Sequence, residues 1–444
     1  MKGLPENIEL LTDLYELTMA ASYYDNGMAD PATFSLFIRK YPPGRSYFVA
    51  AGLEDVQEYV TNFHFSKSDL AYLDSTGLFS KQFLDYLERL RFTGNVRAIE
   101  EGEIFFKNEP ILEVTAPIIE AQILETLLVN TVNLQSIIAT KAARCVSAAS
   151  GRGLVDFSLR RTHGIDAGLK VARNSYLAGF VGTSNVLAGK LYGIPISGTM
   201  AHSYISSFKE ELEAFRAFAR SFPKNAVLLI DTYDTLKGAR NAAIIGKEMA
   251  ASGDKLSGVR LDSGDMVSLS REVRKILDEE GLHDSKIFAS GNFDEYKIEK
   301  TIKEGAKIDA FGVGTKMGVS ADAPYLDVVY KLVQYSGRPI MKWSTGKSNL
   351  PGEKQVFRKT DGKGRFKEDI LGLKDESFGE TKSLMGDVIR NGKSLRSHPS
   401  LQTVRDRFRE NFSLLDERYK SLQDPPIYPV KISNRLQELY EGLC

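Results

Sequence analysis

Gly258-Val-Arg-Leu-Asp-Ser-Gly-Asp265 decides how this chain is read. An apolar run, Lys255–Leu261, leads into it, and Val267–Glu280 follows with helical periodicity. An arginine, two carboxylates and a glycine turn therefore gather at the carboxyl end of a predicted strand. In sheets and barrels of alternating strands and helices, that end carries the site. Working outward, the same grammar repeats. Predicted strands Leu154–Leu159, Phe180–Ser184, Ile196–Met200, Ala226–Ile230, Lys286–Ser290 and Ala310–Val313 alternate with helices such as Asp166–Gly179, Ser206–Ser221, Thr235–Ser252 and Asp294–Gly305. Seven short strands joined by helices imply parallel pairing. The expected fold is α/β, an irregular seven-stranded parallel barrel.

The flanks lack this alternation. Before it come a helix, Leu11–Tyr23, capped by Thr12 or Asp13, a strand, Ala32–Arg39, and a small sheet around Asn95–Val114. Pro117 opens a long apolar helical stretch reaching Ala149. After Met317 come a hairpin, Asp327–Tyr335 with Arg338–Trp343, a strand from Lys354, and helices Leu401–Leu414 and Ile432–Tyr440. The division expected is 1–116, 117–317 and 318–444, with the tail completing a second α+β domain built from both chain ends.

The 444 residues favour more than one domain. Lys plus Arg and Asp plus Glu number 58 each, so the balance gives no support for a nucleic-acid surface. Two cysteines, Cys145 and Cys444, make neither a disulfide framework nor a thiolate zinc site. No apolar run reaches membrane-spanning length, and Met1–Glu6 lacks the order of a secretion signal. A cytoplasmic enzyme without a membrane or nucleic-acid partner is expected.

Strand ends supply the candidate chemistry. Ser290-Gly291-Asn292 and Gly312-Val-Gly314-Thr315 belong to the last two strands, where barrels often hold phosphate on backbone N–H groups. A lone Gly-X-Gly-Thr is ordinarily a steric turn; the repetition argues for more. Asp231, Asp234, Asp262 and Asp265 follow two neighbouring strands and suit helix caps, Mg²⁺ or sugar hydroxyls. Arg160 and Arg161, off a strand end, suit an anion or a solvated turn. Arg260 adds a planar bidentate donor. Phe157 suits a flat ring or plain core. His202 ends Gly198-Thr-Met-Ala-His202; with no His/Cys cluster beside it, acid–base work or phosphate acceptance remains.

Together these residues resemble bacterial nicotinate phosphoribosyltransferase. The segments are Leu11-Thr-Asp-Leu-Tyr15, Phe157-Ser-Leu-Arg-Arg161, Gly182-Thr-Ser-Asn185, Gly198–His202, Val259–Asp265, Ser290–Asn292, Gly312–Thr315 and Pro351–Gln355. The resemblance implies transfer of phosphoribosyl from phosphoribosyl pyrophosphate (PRPP) to nicotinate, giving nicotinate mononucleotide and pyrophosphate. It implies ATP coupling through a phosphohistidine at His202, with Mg²⁺ near Asp262 and Asp265. It implies a homodimer with shared sites, Phe157 forming one wall of the ring pocket and the partner subunit's Tyr15 the other. Arg260 would face the nicotinate carboxylate or the sugar, and Asp262 the ribose hydroxyls or pyrophosphate. Arg160, Arg161, Ser184 and Asp231 complete the substrate set, and Ser290, Gly291, Asn292, Gly312, Gly314 and Thr315 the phosphate cradle. Ser184, where nicotinamide-using relatives carry aspartate, points to the acid. A nicotinamide-using enzyme, a phosphosugar aldolase or isomerase working through Lys316, and a non-catalytic metabolite binder are the alternatives.

Overall fold

The computed structural model describes residues 8–342, 349–395 and 397–443. The readings at Met1–Glu6, Trp343 and Cys444 lie outside the described residues. The chain divides into two compact units, residues 141–322 and residues 1–140 with 323–444. The first boundary falls inside the helix Glu125–Ala148 rather than at residue 117, and the second falls after Asp322 rather than after 317.

The 141–322 unit holds a six-stranded parallel sheet. Its spatial order is Gly182–Thr183, Gly153–Asp156, Ala310–Val313, Lys286–Ala289, Gly258–Leu261 and Val227–Leu229. Thr183 pairs with Asp156, Asp156 with Val313, Phe311 with Ala289, Ala289 with Leu261, and Arg260 with Leu229. That register aligns the carboxyl ends along one edge, because parallel strands in step finish together. Leu154, Val259, Leu261, Ile287, Phe311 and Val313 are buried, as expected of strands covered on both faces. Met266–Glu279 buries Met266, Ser270, Val273, Ile276 and Leu277, one face of a 3.6-residue period.

The expected seventh strand is not a strand. Of Ile196–Met200, Ile196 alone makes an isolated parallel bridge, to Thr183. The segment carries Gly198 and runs Pro195-Ile-Ser-Gly, which offers too few consecutive side chains and donors to extend a ladder. The expected Ser206–Ser221 helix is likewise two helices, His202–Ser206 and Glu211–Ser221.

The other unit is α+β and built from both chain ends. Its largest sheet is antiparallel, ordered Arg338–Pro339, Val328–Tyr335, Pro31–Ile38, Pro110–Pro117, Asn95–Ile99, Met385–Arg390 and Lys393–Ser394. Val328–Tyr335 pairs with Pro31–Ile38, and Met385–Arg390 with Asn95–Ile99, so C-terminal strands sit on both sides of the N-terminal ones. Lys354–Thr360, Phe366–Leu373, Lys382–Ser383 and Val430–Ile432 form a second sheet. The stretch Ile118–Ala148, broken between Gln122 and Glu125, has the length and composition to cross a membrane, contrary to the reading of the sequence. Of its apolar 18-residue window 61% is buried, the behaviour of a core helix. Asp13 occupies the N-cap position of the Leu14–Asp25 helix without a side-chain cap bond; its carboxylate accepts from Thr126 Oγ1 at 2.9 Å instead, and Thr12 Oγ1 donates to Glu16 at 2.6 Å.

Candidate active site

Arg260 is the hub of the aligned strand ends. Its alternating position on Gly258–Leu261 sends the side chain away from the buried Val259 and Leu261. Nε donates to Ser290 Oγ at 2.8 Å, Nη1 to Thr199 Oγ1 at 3.0 Å and to the Met200 carbonyl at 3.2 Å, and Nη2 to Asp262 Oδ1 at 3.0 Å. One guanidinium therefore ties two strand ends to the Thr199–Met200 segment, and its fork geometry fixes the plane. It lies 5.6 Å from the centroid of the Phe157 ring, within reach of a cation–π contact.

Asp262 is held from several sides. Ser290 Oγ donates to its Oδ1, and its own N–H donates to Asp231 Oδ2 at 2.9 Å. Burial pushes the Asp262 carboxyl up, but the Ser290 hydrogen bond and the Arg260 charge outweigh it and hold the group below the ordinary carboxylate value. Asp231 Oδ2 also accepts from Ser263 Oγ at 2.6 Å, while the buried Oδ1 has no hydrogen-bond partner. His202 opens its short helix, with Nδ1 3.0 Å from Thr232 Oγ1 and Nε2 3.9 Å from Asp262 Oδ2. Nε2 is the nitrogen left for chemistry.

The glycine loops differ from one another. Gly291 has φ +102° and Asn292 φ 55°, so both residues of the turn are left-handed. A methyl on Gly291 would overlap the Asp262 carbonyl oxygen. Gly312 has no such backbone demand; a methyl there would press into the Phe157 ring. Gly314 and Thr315 follow at the next turn, Gly314 in N-cap position of the helix Thr315–Gly318.

The other expected residues have surroundings of their own. Arg160 and Arg161 lie exposed in the 3₁₀ turn Leu159–Arg161, and no hydrogen bond or ion pair ties either to the Arg260 group. Asp265 is exposed and accepts from Val267 N at 3.1 Å, so it caps the following helix; the Ser268 and Val267 hydrogen bonds hold its carboxyl low. Asp234 likewise caps Thr235–Ala251 through Lys237 N at 2.7 Å. Ser184 is half-buried, its N–H donating to the Asp156 carbonyl at 2.8 Å; the cap of Val186–Tyr192 is Asn185. Tyr15 is 45% exposed and belongs to the other unit.

The sequence did not disclose Asp156, Thr199, Thr232, Ser263 or Lys297. Asp156 is buried at a strand end, accepting from Ser158 N at 2.9 Å and Thr183 Oγ1 at 2.8 Å, and burial raises its carboxyl. An acid within an apolar strand was the available signal. The others are short hydroxyls and a helix lysine, indistinguishable by type from surface residues.

An arginine bracketed by carboxylates and hydroxyls, an aromatic ring and a left-handed glycine turn gather at the strand ends of a parallel α/β sheet. The comparisons specify the class. Residues 10–133 match the family described as nicotinate phosphoribosyltransferase N-terminal domain, residues 153–367 the nicotinate phosphoribosyltransferase family, and residues 377–440 its C-terminal domain. A nicotinate phosphoribosyltransferase of Mycobacterium tuberculosis is 48% identical, covering 96% of this chain and 92% of that protein. One of Bacillus subtilis is 38% identical, covering 98% and 96%. The crystal structure of human nicotinic acid phosphoribosyltransferase superposes with a TM-score of 0.88 at 30% identity, over 98% of this chain and all of that one (100%). The chain belongs to the nicotinate phosphoribosyltransferase family.

Proposed function

We propose that this chain transfers the phosphoribosyl group of PRPP to the ring nitrogen of nicotinate, with synthesis coupled to ATP through phosphorylation of His202. Family membership supports the transfer. The observation that carries the assignment of roles is the Arg260 fork, which binds Asp262, Ser290 and Thr199 at once beside the Phe157 ring.

Breaking the C1–pyrophosphate bond leaves positive charge on the sugar and negative charge on the leaving group. Asp262, kept ionised, faces the first, and Arg260 the second or the nicotinate carboxylate. The pyridine nitrogen already has a lone pair, so the chain's task is alignment against Phe157 rather than proton removal. Asp231 and Asp262 are the residues that would hold Mg²⁺: two carboxylates with substrate oxygens suit this ion, and the unpartnered Asp231 Oδ1 is a free ligand atom. Bound there, the ion neutralises pyrophosphate charge. Asp265 already spends one oxygen, Oδ1, on capping the following helix. Among the described residues no group of three His, Cys, Asp or Glu forms a protein-only metal cage.

His202 Nε2 is oriented for phosphoryl acceptance by the Thr232 contact at Nδ1. We read the assembly as a homodimer in which the partner subunit's Tyr15 completes the ring pocket, the parallel sheet as an irregular barrel, and the setting as cytoplasmic. The test is direct. The purified chain is given PRPP, Mg²⁺ and nicotinate, with and without ATP, and the mononucleotide and pyrophosphate are quantified. Product formed faster with ATP, together with an acid-labile phosphoenzyme, is expected. Equal use of nicotinamide, or no product from PRPP, overturns the reading.

A further inference from the structure

Two lysines flank the glycine turns at neighbouring strand ends. Lys297 sits on the helix Glu295–Lys303, and its Nζ donates to the Gly291 carbonyl at 2.7 Å. Lys316 sits on the turn after Gly314, its Nζ 2.7 Å from Asp294 Oδ2. The other oxygen of Asp294 accepts from Lys297 N at 2.8 Å, so one carboxylate joins the two lysine-bearing segments. The parent strands are hydrogen-bonded neighbours, Ala289 opposite Phe311. Two ammonium groups and one carboxylate leave a net positive charge beside the two glycine-bearing loops.

We propose that Lys316 is a direct ligand of the sugar phosphate and that Lys297 is a positioning residue that locks the Ser290–Asn292 turn against it; this rests on the PRPP reading above. Lys316 is the one free to reach, being 46% exposed in its side chain, and it can contact a phosphate while keeping Asp294. Lys297 is half-buried, its ammonium 4.6 Å from the Phe293 ring centroid. Its bond to Gly291 O holds a turn that two successive left-handed residues would otherwise leave free to relax. Burial, then the Lys316 charge, lowers the Lys297 ammonium below the usual lysine value.

The experiment measures KM for PRPP, KM for nicotinate and competitive inhibition by ribose 5-phosphate in the full chain. Lys316→Ala should raise the PRPP KM and the ribose 5-phosphate inhibition constant about 10- to 100-fold, the scale of a lost charged hydrogen bond, with nicotinate KM little changed. Lys316→Arg should restore most of it. Lys297→Met keeps the stem on Phe293 and should also raise PRPP KM selectively, with Lys297→Arg recovering part. Active wild type with unchanged PRPP KM in Lys316→Ala overturns the inference alone. A wild type that makes no product from PRPP and nicotinate overturns the functional reading instead. Calorimetric binding of ribose 5-phosphate to wild type and Lys316→Ala then decides the lysine's role separately: loss of binding supports it, and equal binding refutes it.

Discussion

Replacing Gly312 by alanine tests the ring wall without touching any polar group. An ideal Cβ on Gly312 falls 2.7 Å from Cδ2 and 2.8 Å from Cε2 of Phe157, and 3.0 Å from Cε1 of Phe288. Carbon atoms rest at about 3.5–4.0 Å, so the Phe157 ring must retreat by roughly 1 Å. The backbone adds nothing, since Gly312 is not in the left-handed region. Overpacking of this kind costs about 1–3 kcal/mol, which predicts a modest fall in thermal midpoint. The functional effect is larger in proportion. The ring lies beneath Arg260, 5.6 Å from centroid to guanidinium, and packs 5.6 Å from Phe288, so a displaced ring moves one face of the pocket. A 1 Å misplacement costs on the order of 100-fold in a positioned reaction. Steady-state kinetics should show nicotinate kcat/KM falling about 10- to 100-fold, with PRPP KM much less affected. Phe157→Leu in the same chain removes the clash, so the two substitutions should be strongly non-additive. Unchanged nicotinate kinetics in Gly312→Ala, or simple additivity with Phe157→Leu, would refute the reasoning.

Ser184→Asp should cut nicotinate use at least tenfold while the thermal midpoint holds, because a second carboxylate beside the substrate's costs a few kcal/mol and the helix cap belongs to Asn185; equal loss with nicotinamide would count against it. His202→Ala should abolish ATP-derived label and ATP stimulation while leaving some PRPP-driven synthesis, and label persisting in that variant would reassign the acceptor. Glu16 is fully buried, and burial, partly offset by the Thr12 and Thr126 hydrogen bonds and aided by the Glu125 charge, raises its carboxyl from 4.5 to about 7. The folded chain therefore binds this proton more tightly than the unfolded chain. Its contribution to stability is full below the unfolded pKa and is lost as pH rises through the folded one. Denaturant titrations between about pH 5 and 8 should show that decline, flattened in Glu16→Gln; an identical slope in the variant would be inconsistent with it.

The alternation of Leu154–Val313 was legible because each strand there is a short apolar run ending in glycine and polar residues, and each helix carries its own face. The failure at Ile196–Met200 has a physical cause: apolar composition was present, but a strand also needs uninterrupted partners, and Ile196 finds one only at Thr183. Arg260, Asp262 and Ser290 were singled out by position at strand ends, and the fold does bring them, with His202, into one hydrogen-bonded and ion-paired cluster. Arg160 and Arg161 were singled out by the same rule and lie in a 3₁₀ turn, and Asp265 lies at the N-cap of a helix. Position at a strand end places a residue on the right edge; it does not say which way the chain has turned by the next one or two residues.

The two glycine motifs make the point sharper. In sequence, Ser-Gly-Asn and Gly-Val-Gly-Thr both read as backbone cradles for phosphate. In the fold, Gly291 is dictated by its positive φ and by the Asp262 carbonyl, while Gly312 is dictated by the ring of Phe157. The first shapes a loop that Lys297 holds and that hands Ser290 to Arg260 and Asp262. The second makes room for an aromatic wall. Gly291 is therefore kept by the path of the backbone, and Gly312 by the space an aromatic ring needs. Alanine at Gly291 should disturb the sugar side and alanine at Gly312 the ring side, from two motifs that composition alone treats as equivalent.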